Sequence, residues 1–296
     1  MVPGILIGKW ASAYAMGRAA AFLRILRPVN SIMLGVGVLV GVLITGGLQS
    51  SIPLGILALA FITGFTLTGS AMVINDYFDR EIDAVNEPSR PIPSGDMKPN
   101  EAITYSLLLS VAGLAAAYLT SLPNLAIAVF SWIVMMVYSA WGKRTGFLGN
   151  LMVSTCIGLP FVYGGAIAGN IPTSLLFSVL AFLSNTGREV TKGIVDTEGD
   201  ASRSVKTIAV AYGVDKAAYL ASAFYLIAAA ASILPPLLGL VSNWYLPFVM
   251  VTDAGLIYDT VTLLRDHSRE TSRKVKNQVL YWMLFGLLAF AAGTLI

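Results

Sequence analysis

The chain has 296 residues, of which 56% are hydrophobic and only 12% charged, and its formal net charge is +3. A soluble domain carries about 25% charged residues, and a chain of this length has no core large enough to hide so much apolar sequence, so the composition excludes an ordinary soluble protein. A single cysteine, Cys156, and a single histidine, His267, argue against a disulfide framework, CxxC redox chemistry, a cysteine-cluster metal site and a His-based catalytic triad.

The N-terminal stretch scatters Lys9, Arg18, Arg24 and Arg27 among short apolar runs, a pattern unlike a cleavable signal peptide. Residues 10–26 suit either an interfacial amphipathic helix or an unordered tail. Beyond them the apolar residues come in blocks near the 20 or so that a membrane helix needs. The blocks predict about nine transmembrane helices, at about 28–47, 53–75, 101–120, 123–141, 147–168, 172–195, 215–235, 244–264 and 278–295. Pro53, Pro123, Pro172 and the pair Pro235-Pro236 fall in the connections, where a missing N–H does no harm. A membrane barrel would show alternating segments of roughly ten residues, and none are present. The expected fold is therefore an all-α polytopic membrane bundle, a single transmembrane domain over 1–296.

With nine spans, one side of the membrane carries the N-terminus and the connections 2–3, 4–5, 6–7 and 8–9. These hold 4, 3, 2, 5 and 5 basic residues, which accounts for all 19 Lys and Arg. The positive-inside rule makes that side cytoplasmic. Acidic residues share it, apart from Asp253 and Asp259 in the eighth span. Two connections, 76–100 and 188–214, are long and polar and are expected to form a cytoplasmic cap, the kind of segment where binding and catalysis concentrate. A weak repeat of 120 residues relates Asn30 to Asn150 and Asp76 to Asp196.

The first cap segment opens with Asn75-Asp76-Tyr77-Phe78-Asp79-Arg80-Glu81-Ile82-Asp83. On a helix, Asn75, Asp79 and Asp83 line one face, bordered by Asp76. Carboxylates stacked in this way repel one another unless a cation intervenes, and oxygen-only ligands suit Mg²⁺. The second segment runs from Arg188-Glu189 through Lys192 to Asp196-Thr197-Glu198-Gly199-Asp200, again with Asp196 and Asp200 on one face, Lys192 four residues before Asp196, and Lys206 shortly after. Arg90 trails the first segment in Arg90-Pro91-Ile92-Pro93-Ser94-Gly95. Two acidic faces with nearby bases fit a diphosphate bridged to carboxylates by metal ions, with Arg and Lys neutralising the remaining charge. At the mouth of an apolar bundle, the matching ligand is an amphiphile with a diphosphate head and a hydrocarbon tail.

Asn75-Asp76-x-x-Asp79-x-x-x-Asp83 followed by Arg90-Pro91-Ile92-Pro93-Ser94-Gly95 resembles the first signature of the UbiA superfamily of intramembrane prenyltransferases, and Asp196-Thr197-Glu198-Gly199-Asp200 resembles the second. The resemblance implies a helical bundle capped over a central cavity and Mg²⁺-dependent transfer of a prenyl group from an isoprenyl diphosphate. It implies Asn75 and Asp79 as ligands of one Mg²⁺ and Asp196 and Asp200 as ligands of another, with Asp76 and Asp83 completing the first polar cluster. Lys192 and Arg90 become candidates for the diphosphate, and Asp76 for the proton-accepting base. Arg27 and Asn30 match a family element at the start of the first span, and Tyr138 and Lys143 one at the end of the fourth. Each of these four also suits a plainer role, as membrane anchor, helix cap, interfacial aromatic or topology signal.

The stretch Ala84-Val85-Asn86-Glu87-Pro88-Ser89 before Arg90-Pro91 is short and lacks the second Arg common in the aromatic-acid and haem branches of that family. Asp83-Ala84-Val85-Asn86-Glu87-Pro88 is similar to the chlorophyll synthase and archaeal ether-lipid branches, and the second motif, with Gly187-Arg188-Glu189 and Lys192, resembles the ether-lipid branch more, which implies geranylgeranyl transfer to geranylgeranylglyceryl phosphate. An aromatic acceptor such as 4-hydroxybenzoate is the alternative. The expected partners are the isoprenyl diphosphate, the lipid acceptor and membrane lipid, with no nucleic acid and no obligatory protein partner. Phe65, Phe161 and Tyr163 are candidates both for the cavity wall and for core packing. A transporter is the competing class, since boundary acids and a two-fold repeat are also transporter features.

Overall fold

The computed structural model describes residues 17–47, 52–202 and 205–295. These are helical, with short turns between helices, and contain no strand. Helix α1 covers 17–25, so the expected interfacial segment is helical over that part, while residues 10–16 lie outside the described residues. Then follow α2 Pro28–Val42, α3 Leu54–Asn86, α4 Pro99–Thr120, α5 Leu122–Ala140, α6 Phe147–Ala168, α7 Ile171–Val195, α8 Thr197–Ser202, α9 Ile208–Tyr212, α10 Val214–Ala231, α11 Leu234–Leu237, α12 Tyr245–Arg265 and α13 Arg269–Leu295.

Local chemistry sets many of these ends. Ser121 caps α5 by accepting the Asn124 N–H at 3.2 Å, Asn170 caps α7 through Thr173 at 3.3 Å, and Thr207 caps α9 through Val210 at 3.3 Å. Each satisfies an N–H that the helix itself leaves unpaired. Glu101 reaches back from the first turn of α4 to the Lys98 N–H at 2.9 Å.

Among the described residues, eight helices are long and apolar enough to cross a membrane. The protein is a multi-pass membrane protein. Helix α7, at the sixth expected span, has the length but is too polar to join the eight: its C-terminal half buries Ser184, Asn185, Thr186, Glu189 and Thr191. The reason is its position. It packs against α6, α10 and α13, so its polar groups face protein rather than lipid. Helix α3 runs eleven residues beyond the expected end of its span, and α13 starts nine residues before its own. The two segments expected to form a cap contain helix: 76–86 continues α3, and 188–214 holds the end of α7 with α8 and α9.

Small and hydroxylated residues bring the helices together, as expected where apolar burial alone does not distinguish protein from lipid. A methyl group at Gly164 of α6 would strike the backbone of Gly41 and Val42 on α2. Ser70, Ser106 and Ser110 bond across α3 and α4 at 2.7–3.1 Å, and Trp132 of α5 donates to Ser110 at 2.9 Å. The two intramembrane acids of α12 are taken up in the same way. Asp253 accepts from Ser232 at 2.7 Å, and Asp259 accepts from Trp282 at 2.8 Å.

Candidate active site

The carboxylate stripe of α3 emerges at the end of the bundle that also gathers the ends of α5 and α7 and the start of α6. There a polar cavity of about 780 Å³ is walled by Arg27, Asn75, Asp79, Asp83, Glu87, Arg90, Tyr138, Lys143, Arg144, Asn150, Glu189, Lys192, Asp196 and Asp200, among others. A second cavity of about 450 Å³ runs into the bundle between α2, α3, α5 and α6, walled mainly by apolar side chains such as Leu34, Val38, Leu67, Met72, Met135 and Ile157. Seven residues line both: Arg27, Asn75, Asp79, Tyr138, Lys143, Glu189 and Lys192. They stand where the charged chamber and the apolar one meet.

Ion pairs fix the charged wall. Lys143 binds the Asp79 carboxylate. Glu189 is buried and takes Arg188 at 2.8 Å and Lys192 at 3.4 Å. Asp83 holds Arg90 at 2.5 Å. Asp76, 2% exposed, binds Arg27 at 2.6 Å and Arg90 at 3.3 Å. Arg27 is the one non-glycine among the described residues with a left-handed backbone, at φ 47°. It stands immediately before Pro28, where the helical region is disfavoured, and a strained residue of this kind needs strong surrounding contacts to persist.

The structure gathers most of the expected site residues. Asn75, Asp79, Asp83, Arg90, Tyr138, Lys143, Lys192, Asp196, Asp200 and Arg27 share the polar wall. Asp76 instead lies behind Arg27 and Arg90 and lines neither cavity. Its carboxylate is occupied by two guanidinium groups, which leaves it poorly placed to receive a proton from a substrate. Asn30 is exposed at the start of α2 and lines neither cavity. Lys206 is exposed, while its neighbours Val205 and Thr207 face the polar cavity. Its carbonyl closes on Gly146, which at φ 65° has no room for a side chain. Arg188 stands one shell back, touching the cavity only through Glu189. The positions 120 residues apart are not equivalent, since Asn150 and Asp196 line the polar cavity where Asn30 and Asp76 do not.

The sequence motif gives Glu189 no role of its own, yet a signal is present: it lies three residues before Lys192 and seven before Asp196, on the same helical face. Arg144, in the α5–α6 turn, and Asn150, in the first turn of α6, complete the wall; Asn150 stands out in the sequence only as a member of the 120-residue repeat, and Arg144 carries no comparable pattern. Of the three aromatic wall candidates, Tyr163 lines the apolar cavity, whereas Phe65 and Phe161 pack against core clusters.

The donor set fits Mg²⁺. Asn75 and Asp79 stand a helical turn apart on α3, with Asp196 and Asp200 at the α7–α8 junction on the same cavity wall, and all offer hard oxygen atoms. Among the described residues, no three acidic, His or Cys side chains converge as a ready-made cage, and Mg²⁺ characteristically completes such partial sites with substrate phosphates. The wall carries six carboxylates, Asp79, Asp83, Glu87, Glu189, Asp196 and Asp200, against five cationic side chains, Arg27, Arg90, Lys143, Arg144 and Lys192. The wall is net acidic, a balance that favours a hard cation over a bare polyanion.

Residues 34–291 match the model of a family described as the UbiA prenyltransferase family. Over 275 residues the chain is 38% identical to a digeranylgeranylglyceryl phosphate synthase of Methanothermobacter thermautotrophicus, covering 92% of this chain and 95% of that one. It is 34% identical to the enzyme of the same description from Methanosphaera stadtmanae, covering 93% and 99%. It superimposes on a solved structure described by the same enzyme name with a TM-score of 0.86, at 32% identity and 94% and 98% coverage. A UbiA homologue from Archaeoglobus fulgidus solved with GPP and Mg²⁺ has the same fold, with a TM-score of 0.68 at 17% identity and 92% and 99% coverage.

Proposed function

The chain belongs to the UbiA prenyltransferase family, and from that premise we propose that it transfers a geranylgeranyl group from geranylgeranyl diphosphate to the free hydroxyl of geranylgeranylglyceryl phosphate, in membrane ether-lipid synthesis. The observation that carries this reading is the group of seven residues where the polar and apolar cavities meet. An allylic diphosphate has its breaking C–O bond at the same kind of boundary, with charge on one side and hydrocarbon on the other. Relatives named for this product, similar over more than nine-tenths of the chain, support the choice of acceptor.

Asn75 and Asp79 on one side and Asp196 and Asp200 on the other would hold Mg²⁺ against the diphosphate. Bound there, Mg²⁺ supplies Lewis-acid neutralisation of the charge that develops on the departing pyrophosphate. Lys192, Lys143 and Arg90 add cationic charge to the same oxygens, with Glu189 setting the position of Lys192. Asp76 acts as a positioning residue that aims Arg27 and Arg90 at the chamber. As the C–O bond breaks, the allylic cation forms among apolar side chains that keep water away. The acceptor hydroxyl adds to it, and the new ether oxygen sheds its proton to the released pyrophosphate, a far stronger base. The basic end of the bundle faces the cytoplasm by the positive-inside rule. Asp253 and Asp259, the acids a transporter would use in mid-membrane, each accept a hydrogen bond from a neighbouring helix or turn and line neither cavity.

The test is an acceptor panel on purified protein in detergent, with geranylgeranyl diphosphate and Mg²⁺. Mass spectrometry should find the ether product from geranylgeranylglyceryl phosphate, together with released pyrophosphate. Product from 4-hydroxybenzoate instead would overturn the acceptor and keep prenyl transfer. Absence of both product and pyrophosphate with every acceptor would overturn the reading.

A further inference from the structure

The apolar cavity ends at a hydrogen-bonded floor. Tyr163 of α6 is 3% exposed, and its hydroxyl lies 3.2 Å from Thr63 Oγ1 on α3 and 3.4 Å from Thr120 Oγ1 at the end of α4. Its carbonyl accepts from the Asn124 amide of α5 at 2.8 Å. Two helices therefore hold the ring at its hydroxyl, and a third, α5, holds its backbone. The next residue, Gly164, sits so close to Gly41 and Val42 of α2 that a side chain there would meet their backbone. Tyr163 and Thr63 line the cavity, whereas Ala60, Ala117 and Ile167, packed in the same cluster, do not. The ring separates open space from close packing.

The depth can be compared with the donor. Thr63 is twelve residues before Asn75 on α3, which at a rise of 1.5 Å per residue is about 18 Å. A geranylgeranyl chain has about sixteen main-chain carbons, and with C–C bonds of about 1.5 Å advancing roughly 1.25 Å each it extends about 19 Å. One further isoprene unit would need about 5 Å more, which the ring occupies. The cavity volume of about 450 Å³ falls within the range of preformed small-molecule pockets.

We infer that Tyr163, braced by Thr63 and Thr120, is the residue that sets the upper limit on donor chain length. The inference rests on the proposed prenyl transfer and adds a specificity determinant to it. Ala128, one turn from Asn124 on α5 and lining the same cavity, stands just above the floor, so a larger side chain there should raise the floor.

The experiment measures kcat/KM for farnesyl (C15), geranylgeranyl (C20) and geranylfarnesyl (C25) diphosphates with Mg²⁺ and a fixed acceptor. Three variants are compared with the parent chain: Tyr163→Ala, Tyr163→Phe and Ala128→Leu. The parent should disfavour C25 relative to C20 by about tenfold or more, the scale on which apolar pockets discriminate chain length. Tyr163→Ala should bring the two within about threefold, Tyr163→Phe should keep the parental ratio because the ring remains, and Ala128→Leu should shift preference from C20 to C15 by about tenfold. Active enzyme with unchanged ratios in both Tyr163→Ala and Ala128→Leu overturns the floor and leaves prenyl transfer standing. If Tyr163→Ala does not fold, an unchanged C15:C20 ratio in Ala128→Leu overturns it alone. A parent chain that uses no donor overturns both.

Discussion

Arg27 and Asp76 meet at 2.6 Å across 49 residues of sequence, one in a left-handed backbone before Pro28 and the other almost wholly buried in α3. The pair ties the start of α2 to the first acidic segment and turns a guanidinium towards the mouth of both cavities. Arg90 joins it from the connection that follows α3 and ties Asp76 to Asp83.

Removing Asp76 should therefore act on structure and activity together. Breaking a buried ion pair costs on the order of 3 kcal/mol because the partners keep their charge, and here the partly exposed Arg27 and Arg90 recover some of that through solvent. Asp76→Ala should lower the thermal midpoint of the detergent-solubilised protein by several degrees and abolish most turnover. Asp76→Asn should fall between. Parental stability and turnover in both variants would remove Asp76 from its positioning role.

The metal reading predicts strong effects from either carboxylate pair. Asp79→Ala or Asp196→Ala should lower kcat by about a hundredfold or more, the scale of losing a charge-stabilising group, and raise the Mg²⁺ concentration needed for half-maximal rate. Chelation by EDTA should abolish turnover of the parent chain, and Mg²⁺ should restore it. Unaltered Mg²⁺ titration in Asp196→Ala would exclude the second pair as ligands.

Glu189 should act through its cationic neighbours. Glu189→Gln loosens Lys192 and Arg188 and should lower kcat/KM about tenfold, as loss of an orienting partner commonly does, mainly through a higher KM for the diphosphate donor. Glu189→Asp should recover part of the loss. Equal KM values in the parent and Glu189→Gln would show that Lys192 is held without it.

Helix crossing at Gly164 predicts a packing effect far from the charged chamber. Gly164→Ala places a methyl group against the backbone of Gly41 and Val42, an overpacking that typically costs about 1–3 kcal/mol. The thermal midpoint should drop while the Mg²⁺ dependence stays parental. An unchanged midpoint would mean that α2 and α6 can separate freely.

By itself the sequence determined the membrane class, the run of helices and most of the charged wall. Long apolar blocks can only be membrane helices where backbone polar groups must satisfy themselves, and Asn75, Asp79 and Asp83 share a face through helical spacing alone. Those signals are local, with a period of three to four residues. Tertiary structure decided what locality does not contain. Asp76 and Asp79 are three residues apart and look alike in sequence, yet one turns behind two arginines and the other faces the cavity. Arg27 and Asn30 differ likewise, one on the wall and one exposed. Tyr163 shares with Phe65 and Phe161 a sequence that suits cavity wall and core packing alike, and Thr63, Thr120 and Asn124, arriving from three other helices, set it apart. Which way a side chain faces follows from its helix, but what it meets there depends on which helices pack beside it. Here that was set by small-residue crossings such as Gly41 with Gly164, which allow a backbone approach that no periodic pattern encodes.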